Sequence, residues 1–493
     1  MPAGGPSDSG QVVMAVANAI AMDARVRKTA TSVRRLGYRV TLLWADETGK
    51  GVTEGDLDGV RTIGLPVPYL LRRRAVARDA RRVRPRSGWL NPGYRDHADR
   101  QTHAAALAAR QARLDSDVVP LALRWARSVH WLRSKLLAAA IVCRRRWYGR
   151  WRQRRPWQKE LAEVADLDGI FVPWMVDLKP DVLHLHDIHL LSAGIHAKRR
   201  LGRRGEAPKL IYDAHEYVRG MAGPDSYRDV AFTALEKDLV KEADAVITVS
   251  QPIAESLVRD LGLTAEPVVV MNTPWRDSGW GGAGDGAAPD VRTAVGLASD
   301  VPLAVYCGVL HLNRNLKRLV EAVALVDGLH LALVCVPNAH YPVALALAER
   351  AKALGIGPRV HLVEPVPPNE VVPFLAGASL GVHPMALGLP NHEMALPNKL
   401  FDYVWAGLPV AVSRVKAMAE FVAEAGIGHT FDPEDPASIA SAIQRVLDNR
   451  EQLAAAAAAP ELKDRLAWEA QAGRLANLYA QLAPLGRPPE GQP

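Results

Sequence analysis

Leu396-Pro397-Asn398-Lys399-Leu400-Phe401-Asp402-Tyr403-Val404-Trp405-Ala406-Gly407-Leu408-Pro409-Val410 predicts a tight turn, a short helix, a glycine stop and a buried strand. Pro397 suits the first helical turn, where its missing N–H costs nothing. Gly407 suits the helix C-cap, and Leu408-Pro409 resumes an extended chain. The free N–H groups at such a helix start attract phosphate oxygens, and Lys399 adds a full positive charge there. Asp402 lies one turn further on, where a carboxylate can accept hydrogen bonds from a ribose. Two readings of these residues stand side by side: a grip for a nucleoside diphosphate, and an ordinary helix–strand unit with a capped start.

Working outward, short apolar runs alternate with helical patterns on both sides of this stretch. Residues 12–17 predict a buried parallel strand. A helix follows with Val26, Ala30, Val33 and Leu36 on one face, Gly37 ends it, and Tyr38 to Leu43 is the next strand. The turn between them, Asn18-Ala19-Ile20-Ala21-Met22-Asp23, has no glycine, so the fingerprint of dinucleotide-binding dehydrogenases is absent. Further strands are expected at 181–186, 209–213, 245–250 and 268–271. Asn272-Thr273-Pro274 closes this first half, and the Gly/Asp-rich stretch 278–290 reads as a linker. A second α/β half begins at 303–308, with strands at 329–336, 360–363, 380–383 and 410–412. Residues 436–450 predict a helix with Ile439, Ile443 and Val446 inside. The last helix is expected at about 461–483. There is no repeat of 20–50 residues, which argues against solenoids and propellers.

Chemistry-bearing residues gather at predicted strand ends, where open α/β sheets place ligands. His184, His186 and Asp187 end one strand, and the two histidines share a face because strand side chains alternate. They read either as hydrogen-bonded core histidines or as a reacting pair. A metal reading lacks a clear third ligand in sequence. Tyr212-Asp213-Ala214-His215-Glu216-Tyr217 ends the neighbouring strand. In the second half, Gly308 closes the first strand and Arg314 follows six residues on; an arginine fork suits two phosphate oxygens at once. For Lys317 and Arg318 a solvated helix face is the stronger reading.

These elements, in this order, resemble the glycosyltransferase family 4 branch (glycosyl transferases group 1) of GT-B enzymes. The 396–410 stretch resembles that family's donor motif, in which two glutamates separated by seven residues precede a small-Gly-x-Pro-Val step. Asp402 falls at the second acidic position, and Met394, with Glu393 beside it, at the first. Asp23, Arg25 and Val26 look like the family's "D-x-R-V" opening; helix capping by Asp23 and a solvated Arg25 is the plain alternative. Tyr212 to Glu216 resembles its "Y-D-x-H-E" element. Val309 departs from members that carry a basic residue directly after the glycine.

The resemblance implies an α/β fold of two Rossmann-like domains facing a cleft. Domain one spans 1–275, a linker runs over 276–300, and a nucleotide-sugar domain spans 301–463; the basic helical insertion at about 66–160 in domain one is not accounted for by the resemblance. Residues 464–493 form a helix crossing back to domain one, and a tail. It implies a retaining, metal-independent glycosyltransferase with front-face attack. Catalytic residues would be His186, supported by Asp187, and Arg314; His184 is the alternative to His186. Donor binding would fall to Gly308, Arg314, Glu393, Pro397, Asn398, Lys399 and Asp402, and the acceptor side to Asp23, Arg25, His184, Asp213, His215 and Glu216. No cofactor is implied, only a nucleotide-diphosphate sugar of UDP or GDP type as co-substrate. The acceptor would be a sugar, a lipid-linked or another small molecule, in cell-envelope polysaccharide, glycolipid or related glycoconjugate synthesis. Alternatives are a sugar-nucleotide 2-epimerase of the same fold, whose acid/base set has no evident home here, and a non-catalytic binding module.

Composition sets limits on these readings. At 493 residues the chain suits two or three domains, each burying a core. Cys143, Cys307 and Cys335 are far apart, which fits a reducing, cytoplasmic compartment. No apolar run is long enough to span a membrane. The net charge of +8 is local in origin: residues 71–155 hold 23 Lys and Arg against 5 Asp and Glu, leaving the remainder acidic. Within 121–155 an apolar stripe through Leu121, Trp125, Val129, Leu132, Leu136, Cys143 and Trp147 runs beside Arg124, Arg127, Lys135 and Arg145. Such a helix fits peripheral attachment to an anionic membrane surface, or packing on the first domain with solvated arginines. Nucleic acid is not expected, because no recognised module accompanies the charge.

Overall fold

The computed structural model describes residues 10–20, 23–49, 51–83, 154–221, 227–276, 290–311, 314–367 and 370–485. The apolar basic stripe of 121–155 and the 278–290 linker lie almost wholly outside these residues. Among the described residues no helix is long and apolar enough to cross a membrane.

Among the described residues fourteen strands form two sheets, each wound in both directions from its middle. The first contains β1 (Gln11–Val16), β2 (Arg39–Asp46), β3 (Thr53–Leu57), β4 (Val60–Pro66), β5 (Val182–His186), β6 (Lys209–Ala214), β7 (Ala245–Thr248) and β8 (Val268–Val269). Their order is β3-β4-β2-β1-β5-β6-β7-β8, and β3 alone runs antiparallel to its neighbour. The second contains β9 (Leu303–Val309), β10 (His330–Val336), β11 (Val360–Val363), β12 (Leu380–His383), β13 (Val410–Ser413) and β14 (Gly428–Phe431). It is parallel throughout in the order β11-β10-β9-β12-β13-β14. Strand order reverses between β1 and β5 and between β9 and β12. At such switch points the crossover helices leave to opposite faces, and a crevice opens beyond the carboxyl strand ends.

Strand cores are continuous apolar runs because helices cover both faces. Val12, Val13, Met14 and Ala15 are all fully buried, as are Leu303, Ala304 and Val305. The β3–β4 hairpin and β14 were not legible in sequence: β3 is polar and exposed, and β14 is a four-residue edge strand. Leu36, expected on the apolar face of the helix Ala24–Arg35, is the C-cap and stands exposed, while Val26, Ala30 and Val33 are buried as expected.

The helix Asn398–Trp405 refines the expected caps by one position each. Pro397 is the N-cap residue with extended ψ, not the first helical residue, and Ala406 is the C-cap, with Gly407 in the left-handed conformation just beyond it. Tyr403 fixes this helix to its sheet. Its ring lies over Gly381 of β12, and its hydroxyl donates to the Val382 carbonyl (3.2 Å) and accepts from the Cys307 amide (3.1 Å). A Cβ at position 381 would collide with the ring. Gly381→Ala is therefore expected to cost about 1–3 kcal/mol of stability through overpacking, read as a lower melting temperature.

The end of the chain returns to the first sheet. The single helix expected at 461–483 is two, Pro460–Leu466 and Trp468–Leu482, broken at the extended Ala467. No glycine or proline marks the break. It arises because the buried Trp468 is held by its amide on the Pro274 carbonyl (2.7 Å) and by its indole N–H on the Ser32 hydroxyl (2.8 Å). Trp468, Leu475, Leu478 and Tyr479 share one core cluster with Val12, Met14 and Val26.

Candidate active site

The carboxyl end of β5 carries His184 and His186, which pair in register with Ile211 and Asp213 of β6. Both imidazoles are fully buried and stacked, with centroids 4.6 Å apart. Arg25, in the first turn of Ala24–Arg35, reaches across to Asp213. Its Nε and Nη2 donate to the two carboxylate oxygens at 2.9 and 2.6 Å, and Nη1 donates to the Val270 carbonyl at 2.7 Å. Asp213 Oδ2 also faces His186 Nδ1 at 3.2 Å, His215 Nε2 at 3.5 Å and His184 Nε2 at 3.9 Å. One buried carboxylate thus holds a guanidinium and three imidazoles.

Burial alone would raise the Asp213 carboxyl, but Arg25, His215 and the histidine hydrogen bonds hold it well below the usual carboxylate range. Burial pushes His186 down to about 3, with His184 adding to the effect, and pushes His184 down as well. Burial also disfavours charge on His215, yet the Asp213 carboxylate overcomes it and raises that imidazole. Burial thus favours the neutral forms of His184 and His186, and the Asp213 carboxylate favours the charged form of His215.

This geometry gives two of the expected residues other partners. Asp187 does not support His186: its Oδ1 accepts from the Ile188 amide at 2.7 Å, and its Oδ2 faces His189 at 3.5 Å. Its φ of 68° turns the chain away from β5 and aims the carboxylate at the following turn. Asp213 is the carboxylate beside His186 instead. Asp23 is a helix N-cap, accepting from the Val26 amide at 3.1 Å, while Arg25 is buried in the ion pair and not solvated. Glu216 stands exposed but surrounded within the cleft. That partial desolvation, with the like charge of Asp187, lifts its carboxyl, and Arg314 of the second half pulls it back.

In the second half, Gly308 closes β9 with φ 149°, a backbone that favours glycine. Lys399 Cε lies 3.9 Å from where a Cβ on Gly308 would sit, so the strand end and the helix start meet. Lys399 Nζ bonds Asp402 Oδ2 at 3.1 Å, one turn along the same helix. Arg314 Nη1 lies 3.5 Å from His383 Nε2 at the end of β12. Burial and the cations Arg314 and Lys399 push His383 down to about 3, so it faces the guanidinium as a neutral acceptor. Gly308, Arg314, Lys399 and Asp402 are thus brought together, with the first amides of Asn398–Trp405 beside them.

Glu393 does not join them. Its Oε1 accepts from the Gly388 amide at 3.1 Å and its Oε2 from the Lys416 amide at 2.8 Å. Each oxygen accepts from one backbone amide, which fixes the carboxylate on this turn. Met394, at the first acidic position of the motif, turns to the first half: its carbonyl accepts from the Ser250 hydroxyl (2.7 Å) and its sulfur from the Ser256 hydroxyl (3.1 Å). Asn391 Oδ1 accepts from the Tyr217 amide at 2.9 Å, so this short turn ties the two halves together.

Lys28 was missed in sequence. It sits one turn after Arg25 on the same helix face, donates to the Thr273 carbonyl and covers the Trp468 ring at 4.7 Å. Burial pushes its ammonium down to about 7; Arg25 adds to this, and the carboxylates of Asp402 and Asp23 oppose it. The i, i+3 spacing from Arg25 was the available signal. His184, His186 and Asp213 bring ligand atoms within 4.8 Å of one another, supplying the third ligand that sequence could not show. Arg25 already occupies both oxygens of that carboxylate, which makes the trio a poor cation site.

Comparison with known proteins agrees with this layout. Residues 100–274 match the family described as Glycosyltransferase Family 4, and residues 301–449 the one described as Glycosyl transferases group 1. The first match begins at residue 100, so the family pattern runs through part of the segment that the motifs leave out. The chain is similar to the D-inositol 3-phosphate glycosyltransferase of Corynebacterium urealyticum, 32% identical over 29% of this chain and 32% of that protein. It is also similar to that of Thermobispora bispora, 26% identical over 61% of this chain and 70% of that protein. The fold is shared with Anabaena HepE solved in complex with UDP, at TM-score 0.59 and 12% identity over 96% of this chain and all (100%) of that one. Two matched domains in this order, on two doubly wound sheets, place the chain in the GT-B glycosyltransferases of family 4 and group 1.

Proposed function

We propose that this protein is a retaining, metal-independent glycosyltransferase that moves a sugar from a nucleotide-diphosphate sugar to an acceptor hydroxyl. The observation that carries the reading is the meeting of Gly308, Lys399, Arg314 and the start of Asn398–Trp405 at one switch point. It faces the histidine cluster at the other, and Glu216 and Arg314 feel each other's charge from opposite halves. Fixed cations and helix amides stabilise a leaving diphosphate as the sugar–phosphate bond lengthens, with no metal required. Asp402 would hold the ribose while Lys399 exchanges its carboxylate partner for phosphate. His186 Nε2, buried and without a hydrogen-bond partner among the described residues, would accept from a hydroxyl at the reacting centre.

The UDP bound by Anabaena HepE supports a UDP-type donor, with a GDP type as the alternative. The names of the two inositol-phosphate relatives make a phosphorylated polyol the first acceptor to test. Membrane attachment through the basic segment, and a role in envelope glycoconjugate synthesis, extend this reading. Melting the protein against UDP, GDP, ADP, dTDP and NAD tests it. One diphosphate at a hundredfold excess over its Kd is expected to add about 2.7 kcal/mol of stability. No shift with any of them, in a folded sample, would favour a non-catalytic binding module.

A further inference from the structure

Tyr479 lies on the returning helix Trp468–Leu482, far from every motif in the sequence, yet its hydroxyl meets His184 Nδ1 at 2.8 Å. Both residues are fully buried. The contact decides where the protons of the histidine pair sit. Among the described residues no other acceptor is in hydrogen-bond reach of the Tyr479 hydroxyl, so the phenol donates and Nδ1 is bare. The proton of His184 is then on Nε2, facing the Asp213 carboxylate at 3.9 Å. His186 presents Nδ1 to the same oxygen and to His215 Nε2, both at 3.2 Å; with the raised His215 keeping its own Nε2 hydrogen for that oxygen at 3.5 Å, the hydrogen on His186 is assigned to Nδ1, facing the anion. The two stacked rings therefore hold opposite tautomers around one carboxylate oxygen, which leaves His186 Nε2 bare.

We infer that Tyr479 is a positioning residue for this site: through His184 and Asp213 it sets the tautomer and orientation of His186, and so links the last helix to the reacting centre. The inference rests on the glycosyltransferase reading only for what His186 then does. The groups facing His184 are Asp213, Arg25, His186 and His215 from the sheet side and Tyr479 from the returning helix, with Tyr38 behind that tyrosine at 5.2 Å. Removing the phenol leaves Nδ1 without its donor and makes His184 easier to protonate. A charged His184 then competes with His186 for Asp213.

Imidazole nitrogen-15 NMR of the whole protein tests this without any substrate. Wild type is expected to show bare Nδ1 on His184 and bare Nε2 on His186. In Tyr479→Phe, His184 should mix tautomers and titrate about half to one pH unit higher, and the His186 signals should move with it. Tyr38→Phe, which loses the hydrogen bonds to the Ala483 and Tyr479 carbonyls but touches neither histidine, should leave both unchanged. Donor turnover in Tyr479→Phe should lose its acid limb at correspondingly higher pH. A protonated Nδ1 on His184 in wild type overturns the inference even if the variant does not fold. So do unchanged histidine signals in a folded Tyr479→Phe. The expected tautomers with no nucleotide-sugar turnover would instead count against the glycosyltransferase reading.

Discussion

Arg25→Ala is expected to lower the stability of the first half by about 3–5 kcal/mol, the usual cost of leaving a buried charge without its partner. Arg25 and Asp213 are 3% and 1% exposed, so solvent cannot take over when the guanidinium is gone. At about 2–4 °C per kcal/mol for a half of this size, the first calorimetric transition should fall by roughly 10 °C. The loss should itself depend on pH. Asp213 is held below its unfolded pKa, so its pairing stabilises above that value and is lost as pH falls through the folded one. In the variant the carboxyl rises and can bind a proton, and the deficit against wild type should shrink in acid. Wild type also weakens on acidification below about 6.5, because the unfolded chain protonates His184 and His186 while the folded chain resists. His215 acts in the opposite sense, since its raised pKa adds stability below 6.5 that is lost as pH rises through the folded value. An Arg25→Ala protein that melts like wild type at pH 7 would mean that the ion pair carries no net stability.

Lys399→Ala and Arg314→Ala are each expected to weaken nucleoside-diphosphate binding by about tenfold to a hundredfold, since a charge-assisted hydrogen bond is worth about 1.5–3 kcal/mol. The two variants should differ in what else they disturb. Lys399→Ala strips Asp402 of its partner at 3.1 Å and places an unpaired carboxylate beside the diphosphate. Arg314→Ala frees His383, which is then easier to protonate and can restore part of the charge in acid. Affinity in Arg314→Ala should therefore recover partly as pH falls, and in Lys399→Ala it should not. Calorimetry with UDP and GDP measures both, with Arg124→Ala in the basic segment as the control. Equal affinities in all three would remove the proposed phosphate site.

The second half was largely legible because its signals are local. A proline, a lysine and a glycine at fixed offsets define a helix start and stop, and a run of valines defines a buried strand. The structure moved those caps by one residue each, within what local chemistry leaves free. Glu393 shows the limit of such reading: a carboxylate beside the right motif position turned out to hold the amides of Gly388 and Lys416. Which neighbour takes a carboxylate is settled by loop path, and adjacency in sequence does not carry it.

By itself, the sequence determined the α/β class, the two halves, the strand ends where charged groups gather and the glycines at 308 and 407. Each follows from periodicity or from a backbone conformation that one residue type tolerates best. Only the tertiary structure decided partners. It set Asp213, not Asp187, beside His186, buried Arg25 against that carboxylate, and brought Lys28, His383 and Tyr479 to the site. The Arg25–Asp213, Lys28–Thr273 and His184–Tyr479 contacts join residues 188, 245 and 295 positions apart. A pairing across such distances depends on which strands lie side by side and which helix crosses back, and that is fixed by the packing of the whole core.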